Sequence, residues 1–473
     1  MNTPAAEVRT AWDLVRRGPF SRLWWAGVIG STGDWITIFA VLVVGNNIAG
    51  STGTLVAIVS RLLPGLVFGP FAGVFTDRLN RKRLIMVAEF GRGLVVPLLA
   101  FADTLLELVL VTLVLEMLSL LGQSPRAAII PNLVPPRHIV TANSLTLAAV
   151  FGTVPLAAGI NWALGYLPEV TFNGFVPAPN REVATAFFVD AFTFIASGII
   201  VATIAISARD ATARRAAGKD LASPLWDVWA GIRYIWGHKA VRRVLTGIGV
   251  GLFGGGAVVS LGPKFAQEVL GADSRGFFAI VALFALGAAV GIALVSLYGS
   301  RFQQRDLVFA LFVIGGGCGL VAAAVTNTVS GAASWTFVLG FGSGSAYVMG
   351  FTHLHEEVED AYRGRVFATL YILIRVGLFG AATLAVPLAG FFNSTPALSP
   401  FNRGTRDVLF LGGIVMIFTG LVTLLNVLRA LGRPVWDERA RRTLFSAVRF
   451  GTSDSAKDSE DSPGVADAEE DEP

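Results

Sequence analysis

Asp34, Arg61, Arg92, Glu116, Asp190 and Arg375 stand in stretches of sequence that are otherwise apolar. A charge in such a stretch costs about 3 kcal/mol or more on crossing a bilayer unless it is paired or hydrated. Desolvation and neighbouring charge decide whether a carboxylate there keeps its proton. A carboxylate that changes protonation as its surroundings change can tie proton movement to a change of shape. Asp34 is the first candidate for that chemistry. It falls near the middle of its run, with Gly30 and Gly33 beside it. The alternative is a structural pair with Arg61. Glu116 is the second candidate, with neutralisation by Arg92 as its alternative. Depth along the helices groups Asp34 with Arg61 and Asp190, the latter two in structural roles. Arg92 and Glu116 form a separate group, with Glu89 on the helix face of Arg92. Arg375 either meets an anionic substrate group or pairs across a seam, and the sequence leaves both open.

The elements that must hold these groups follow from composition. Of 473 residues, 53% are hydrophobic and 15% charged, against about 25% charged in soluble domains. Mean hydropathy is +0.64. Runs near 20 residues recur, each long enough to cross a ~30 Å hydrocarbon core as a helix. The pattern predicts an all-α integral membrane protein with twelve spans: 22–45, 54–76, 84–102, 105–123, 139–166, 184–206, 243–262, 277–297, 306–326, 333–352, 365–391 and 406–428. Weak breaks, such as Asp103-Thr104, leave eleven or thirteen as alternatives. With both termini in the cytoplasm, most of the 37 Lys and Arg fall on the cytoplasmic side, as the positive-inside rule requires. The expected units are an amphipathic N-terminus (1–21), a six-helix half (22–206), a linker with an amphipathic helix (207–242), a second six-helix half (243–428) and a tail (429–473) that ends acidic and disordered. Two six-span halves around a midplane site are one large transporter architecture.

The loop "GVFTDRLNRKRLI", Gly73 to Ile85, packs five charges between two apolar runs. Gly73, Asp77, Arg78, Arg81 and Lys82 resemble, in spacing and place, the signature of the major facilitator superfamily; Asn80 stands where that family usually has Gly. The loop reads as a conformational latch. Asp77 can face a helix N-terminus in the other half. Arg78, Arg81 and Lys82 can reach carboxylates or carbonyls across the seam while the cytoplasmic side is closed.

Further segments resemble the drug:proton antiporter branch that holds macrolide-efflux and enterobactin-exporter-like proteins. They are "STGDWITIFA" (Ser31 to Ala40), "SPRAAIIPNLVPPRHIVTANSL" (Ser124 to Leu145) and "YRGRVFA" (Tyr362 to Ala368). The branch's span 5 motif survives as Gly152, Pro155 and Gly159, and Glu116 stands in span 4, where the family's Arg is missing. The resemblance implies two pseudo-symmetric six-helix halves and alternating access. It also implies proton-coupled export of a small amphiphilic compound, with lipid or siderophore movement, or a non-transporting receptor or scaffold, as alternatives. The expected setting is the cell membrane, as a monomer among lipid, with a proton gradient for energy, no cofactor and no nucleic acid.

Aromatic candidates for the cavity wall are Trp35, Phe39, Phe151, Trp162, Phe253, Phe284, Trp335, Phe341 and Tyr347, which suit amphiphilic or cationic ligands. Gly251–Gly256, Gly315–Gly319 and Gly340–Gly350 let helices pack closely; no phosphate-loop lysine accompanies them. His353, His355, Glu356, Glu357, Glu359 and Asp360 have metal-ligand types, but read better as acidic partners of Arg363, Arg365 or the linker, and no metal is expected. One cysteine, Cys318, excludes a disulfide within the chain.

Overall fold

The computed structural model describes residues 11–76, 80–167, 175–177, 180–204, 232–238, 241–242, 245, 249, 257–299, 302, 304–358 and 360–430. Helix α1 is Ala11–Arg16. The helical stretch Pro19–Thr76 breaks at Ala49 and Gly50, whose φ of 59° and ψ of −146° are open to glycine alone. It is therefore a hairpin of two helices, α2 (19–48) and α3 (51–76). There follow α4 (Arg81–Val95), prolonged by a 3-10 turn to Phe101, and α5 (Leu105–Leu133). A broken span is formed by α6 (Ile139–Gly152) and α7 (Val154–Leu164), and α8 is Arg181–Ala202. The second half comprises α9 (257–264, running into a π turn Phe265–Val269), α10 (Ser274–Tyr298), α11 (Arg305–Val325), α12 (Val329–Glu357), α13 (Asp360–Ser394) and α14 (Gly404–Ala430).

Apolar runs make these helices and polar caps start them. Asn80 accepts from the Arg83 amide at 3.2 Å, Asp273 from Gly276 at 3.3 Å and Thr328 from Gly331 at 3.2 Å. Thr104 and Glu107 form a reciprocal capping box. Among the described residues nine helices are long and apolar enough to cross a membrane, and the first of them contains the hairpin. The helices follow the twelve expected spans in order, the seventh through its last part alone. One boundary differs with consequence. The fourth span was expected to stop at residue 123; α5 continues through Pro125 and Pro131 to Leu133. Its apolar face still has helices to pack against there, and this outweighs the missing amide hydrogen bonds.

We term the end where α2 starts proximal and the end where it finishes distal. The largest buried cluster draws on both halves and is concentrated toward the distal end: Val41 to Val44, Val96, Leu99, Ala100, Ala102, Phe187, Leu261, Phe277, Phe278 and Leu409 belong to it. At the proximal end each described cluster belongs to one half. Leu14, Phe20, Ile129, Val134 and Ile204 pack within the first; Tyr234, Ile235, Leu354, Val366 and Leu370 pack within the second. Of the expected surface helix at the N-terminus, Leu14 and Val15 are buried and Trp12 is exposed.

Candidate functional site

Five helices of the first half bring the intramembrane charges together. Asp34 is on α2, Arg61 on α3, Arg92 on α4, Glu116 on α5 and Asp190 on α8. At 1.5 Å per residue each lies roughly 14–22 Å from its helix's proximal or distal end, so all sit near mid-depth. Arg92 is ion-paired with Asp34. Arg61 lies 3.0 Å from Glu116 and 4.0 Å from Asp34. Arg126, on the extended part of α5, reaches Glu89 at 2.6 Å and the Ser197 hydroxyl at 3.4 Å. The Arg92 guanidinium also lies 3.9 Å from the centre of the Phe194 ring. Asp190 is fully buried and held by hydroxyls: Thr37 donates to one carboxylate oxygen at 2.5 Å, and Thr193 lies 2.9 Å from the other. Asp34 keeps 30% of its side-chain surface open, the largest share among the paired members.

A stripe of glycines on α2 admits this polar cluster. A Cβ at Gly27 would lie 3.2 Å from Arg126, and one at Gly30 would touch Ser197 and Glu89. At Gly33 it would collide with the Asp190 and Thr193 oxygens. The spacing of three keeps these positions close to one face.

Two groupings made from the sequence are corrected here. Arg92 pairs with Asp34 rather than Glu116, and Glu116 pairs with Arg61. The supposed outer and inner groups are one network. The cause is the length of α5: ending it at residue 123 put Glu116 near the proximal end, whereas ten more residues of helix move it toward the middle. The same early stop assigned Arg126 to a loop. Its position, seven residues past Ser119 on one unbroken face, was the available signal.

The loop residues also differ from the expectation. Arg81 donates to the Ala128 carbonyl at 3.0 Å, and Lys82 to the Ala202 and Ile204 carbonyls at 2.7 and 2.8 Å. Both are therefore tied to helix ends in their own half, not across the seam. The Lys82 ammonium meets the negative end of the α8 dipole and closes carbonyls that the helix leaves open. Gly73 is in the last turn of α3; Asp77 and Arg78 lie outside the described residues. Lys82→Met is expected to lower stability by about 1 kcal/mol, read as a small drop in melting temperature with transport retained.

Gly152 ends α6, and Pro155 stands in the first turn of α7. A Cβ at Gly152 or Gly159 would meet nothing within 4 Å. Of the aromatics, Trp35 donates its ring N–H to the Val150 carbonyl at 2.8 Å and stacks on Phe39. Phe39 itself is buried in the shared core, which removes it from a cavity wall in this conformation. Trp162 and Trp335 are exposed. Tyr347 packs on Phe351 with ring centres 4.4 Å apart, Phe341 lies edge-on to Phe312, and Phe284 packs against the core. Phe253 lies outside the described residues; Phe151 and Arg375 are placed by backbone alone. His353 faces Asp306 of α11 at 2.9 Å, a partner the basic-loop expectation did not include.

At the distal end the halves are clasped. Asn46 of α2 donates to Gln267 at 2.8 Å, and Arg275 lies over the Tyr166 ring. The clasp borders a cavity of about 150 Å³ lined by Asn47, Glu182, Pro263 and Phe277 among others.

The helical fold that holds this cluster has counterparts. The sequence model of the Major Facilitator Superfamily matches residues 23–382. The chain belongs to the Major Facilitator Superfamily. It is a multi-pass membrane protein of that family. A 228-residue stretch is 25% identical to the uncharacterized facilitator-type transporter YfiS of Bacillus subtilis (strain 168), covering 46% of this chain and 49% of that one. The chain thus spans about half the length of that relative. Among solved facilitator structures, a bacterial homologue of the human lysosomal transporter Spinster, inward-facing and unoccupied, superposes with a TM-score of 0.62 at 17% identity, over 91% of this chain and 98% of that one. The nucleoside transporter NupG gives 0.64 at 12% identity, over 86% and 99%. The D-xylose-proton symporter gives 0.62 at 12%, over 85% and 97%. At these identities the likeness is one of fold.

Proposed function

We propose that the protein is a secondary active transporter that exports a small amphiphilic compound in exchange for protons, by alternating access. The observation that carries this reading is the mid-depth network in which two guanidiniums compete for Asp34, the most open of its paired carboxylates. Protonation of Asp34 releases Arg92 and leaves Arg61 to Glu116, so a proton changes which helices are tied together. Such a change biases a two-state equilibrium. Asp34 is the proposed coupling group and Glu116 the second. One of the similar folds is a proton symporter, so this architecture accommodates proton coupling. The shared distal core and the distal clasp fit a conformation closed at that end, and the basic proximal segments fit a cytoplasmic location at the cell membrane. The segment Gly73, Asp77, Arg78, Arg81 and Lys82 is proposed to stabilise one state of the cycle. Within it, Arg81 and Lys82 hold α5 and α8 in place so that the half moves as a body, and the contacts that differ between states are assigned to Asp77 and Arg78.

The test is transport by the purified protein in liposomes with ethidium, an amphiphilic fluorescent cation, as probe. With an acid interior, ethidium is expected to accumulate, and a protonophore is expected to abolish accumulation. Accumulation that survives collapse of the gradient removes proton coupling; no movement of ethidium or of neutral and anionic amphiphiles leaves a receptor or scaffold. The clasp gives a second expected result. Asn46→Ala deletes a cross-half hydrogen bond with a net value of about 1 kcal/mol, roughly fivefold in population. In a Cys318→Ala background, a cysteine at Val43 is then expected to react several-fold faster with an impermeant maleimide. An unchanged rate removes the clasp from the gating equilibrium.

A further inference from the structure

The intramembrane network holds four carboxylates, Asp34, Glu89, Glu116 and Asp190, and three guanidiniums, Arg61, Arg92 and Arg126. Fully ionised, it carries one negative charge in excess. Three carboxylates have ion pairs: Asp34 with Arg92, Glu116 with Arg61 and Glu89 with Arg126. Asp190 is the remainder. Among the described residues no cation lies within ion-pair distance of it. Arg92 and Arg61 act on it only through space, and the carboxylates that those two arginines pair with are Asp34 and Glu116. Its exposure is 0%. An unpaired carboxylate with no water is the least favourable state available to such a group.

The hydroxyls around Asp190 point the same way. Thr193 is 2.8 Å from the Asp190 backbone carbonyl, one turn back on α8, and 2.9 Å from the carboxyl oxygen. A hydroxyl has one proton to donate and two lone pairs to accept with. If Thr193 gives its proton to the backbone carbonyl, the contact with Asp190 is a hydrogen bond only when the carboxyl supplies the proton. The Thr37 hydroxyl serves the other carboxyl oxygen as donor. One extra proton on Asp190 satisfies both hydroxyl contacts of its carboxyl and cancels the excess charge.

We propose that the network carries one exchangeable proton, and that in this conformation it is held on Asp190. Gly33 belongs to the same device, because any side chain there would displace the Asp190 carboxyl and Thr193 together. In the cycle the O–H bond of Asp190 breaks and the proton passes to Asp34, the open carboxylate, as Arg92 shifts from Asp34 toward Asp190; Asp34 then gives the proton to water on the side then open. Arg61, at 4.0 Å from Asp34, closes on the carboxylate that Arg92 leaves. A proton taken up from the opposite side reverses these steps. The transport role rests on the proton-coupled reading above; the location of the proton does not.

The experiment is infrared spectroscopy of the full-length protein in detergent and D2O at neutral pH, where an un-ionised carboxyl has its own carbonyl band. The wild type is expected to show one such band. Asp190→Asn is expected to lose it, Asp34→Asn to keep it, and Thr193→Val to keep it at a shifted frequency. No band in the wild type, or a full band in Asp190→Asn, overturns the proposal. Should Asp190→Asn fail to fold, Thr193→Val decides, and an unshifted band overturns it. In liposomes Asp190→Asn is expected to exchange ethidium down its gradient but not to concentrate it. A variant that has lost the band and still concentrates ethidium shows that this proton is not the exchanged one. If the wild type itself ignores the pH gradient, the coupled reading falls while the band still places the proton.

Discussion

Asp34→Asn is expected to abolish gradient-driven accumulation of ethidium while leaving downhill exchange, and to lower the melting temperature. The two effects have separate causes. Asn cannot take up or release a proton, so the exchange of guanidinium partners at α2 stops. Arg92, with 10% of its side chain exposed, also loses its only ion-pair partner among the described residues. Leaving one member of a buried pair unmatched costs about 3–5 kcal/mol. Asp34 is near one-third exposed, and screening there reduces the cost to about 1–3 kcal/mol. Arg92→Gln added to Asp34→Asn is expected to recover most of the lost melting temperature, because no unpaired charge remains, but none of the accumulation. If the double variant also regains accumulation, Asp34 is a structural partner only. If the single variant both melts normally and concentrates ethidium, Asp34 has neither role. Glu116→Gln is expected to do less, since Arg61 still has Asp34 at 4.0 Å.

Hydropathy and charge asymmetry were enough for the order of the helices, because a bilayer forces every spanning backbone to satisfy itself and so makes apolar runs nearly synonymous with helices. The ionisable members of the network other than Arg126 were legible for the same reason: Asp34 or Asp190 in such a run is conspicuous. Their partners were not. Partner choice depends on depth and rotation, and both shift when one helix end is misplaced, as happened at Pro125. Helix termini are the least determined feature of a sequence in a membrane, because proline there is compensated by neighbours. Thr37, Thr193 and Ser197 were also overlooked. In an apolar helix a hydroxyl usually bonds its own backbone four residues back, as Thr32 does with Val28 at 2.8 Å, so its type alone does not distinguish a ligand to a carboxylate. Lys82 shows a related limit. The signature spacing identified the loop, but not that the lysine would close the end of α8 in its own half.

Gly340→Val is expected to be the most destabilising single change in the second half. Helices α10 and α12 cross with Gly287 and Gly291 on one and Gly340 and Gly344 on the other, each pair spaced by four. A Cβ at Gly340 would collide with the Phe284 carbonyl, and one at Gly344 with the Ala288 backbone. In return, one at Gly287 would strike the Phe337 carbonyl and one at Gly291 that of Phe341. The clashing atoms are backbone, so no rotamer change relieves them. Association inside a membrane has no hydrophobic term to draw on and depends on close packing of this kind. Forcing three carbons into the crossing separates the helices along their length, at a cost of about 3 kcal/mol or more. Gly390→Ala on α13 is the matched control. Nothing lies within 4 Å of a Cβ there, and alanine is the better helix former by about 1 kcal/mol, so that variant is expected to melt at or slightly above the wild type. Thermal unfolding in detergent compares the two directly. Should Gly340→Val melt with the control yet fail to move ethidium, the crossing is a surface on which α10 and α12 slide during the cycle, and the close backbone approach serves motion rather than stability. Should it melt with the control and transport normally, the crossing tolerates separation and the glycine pairs have neither role.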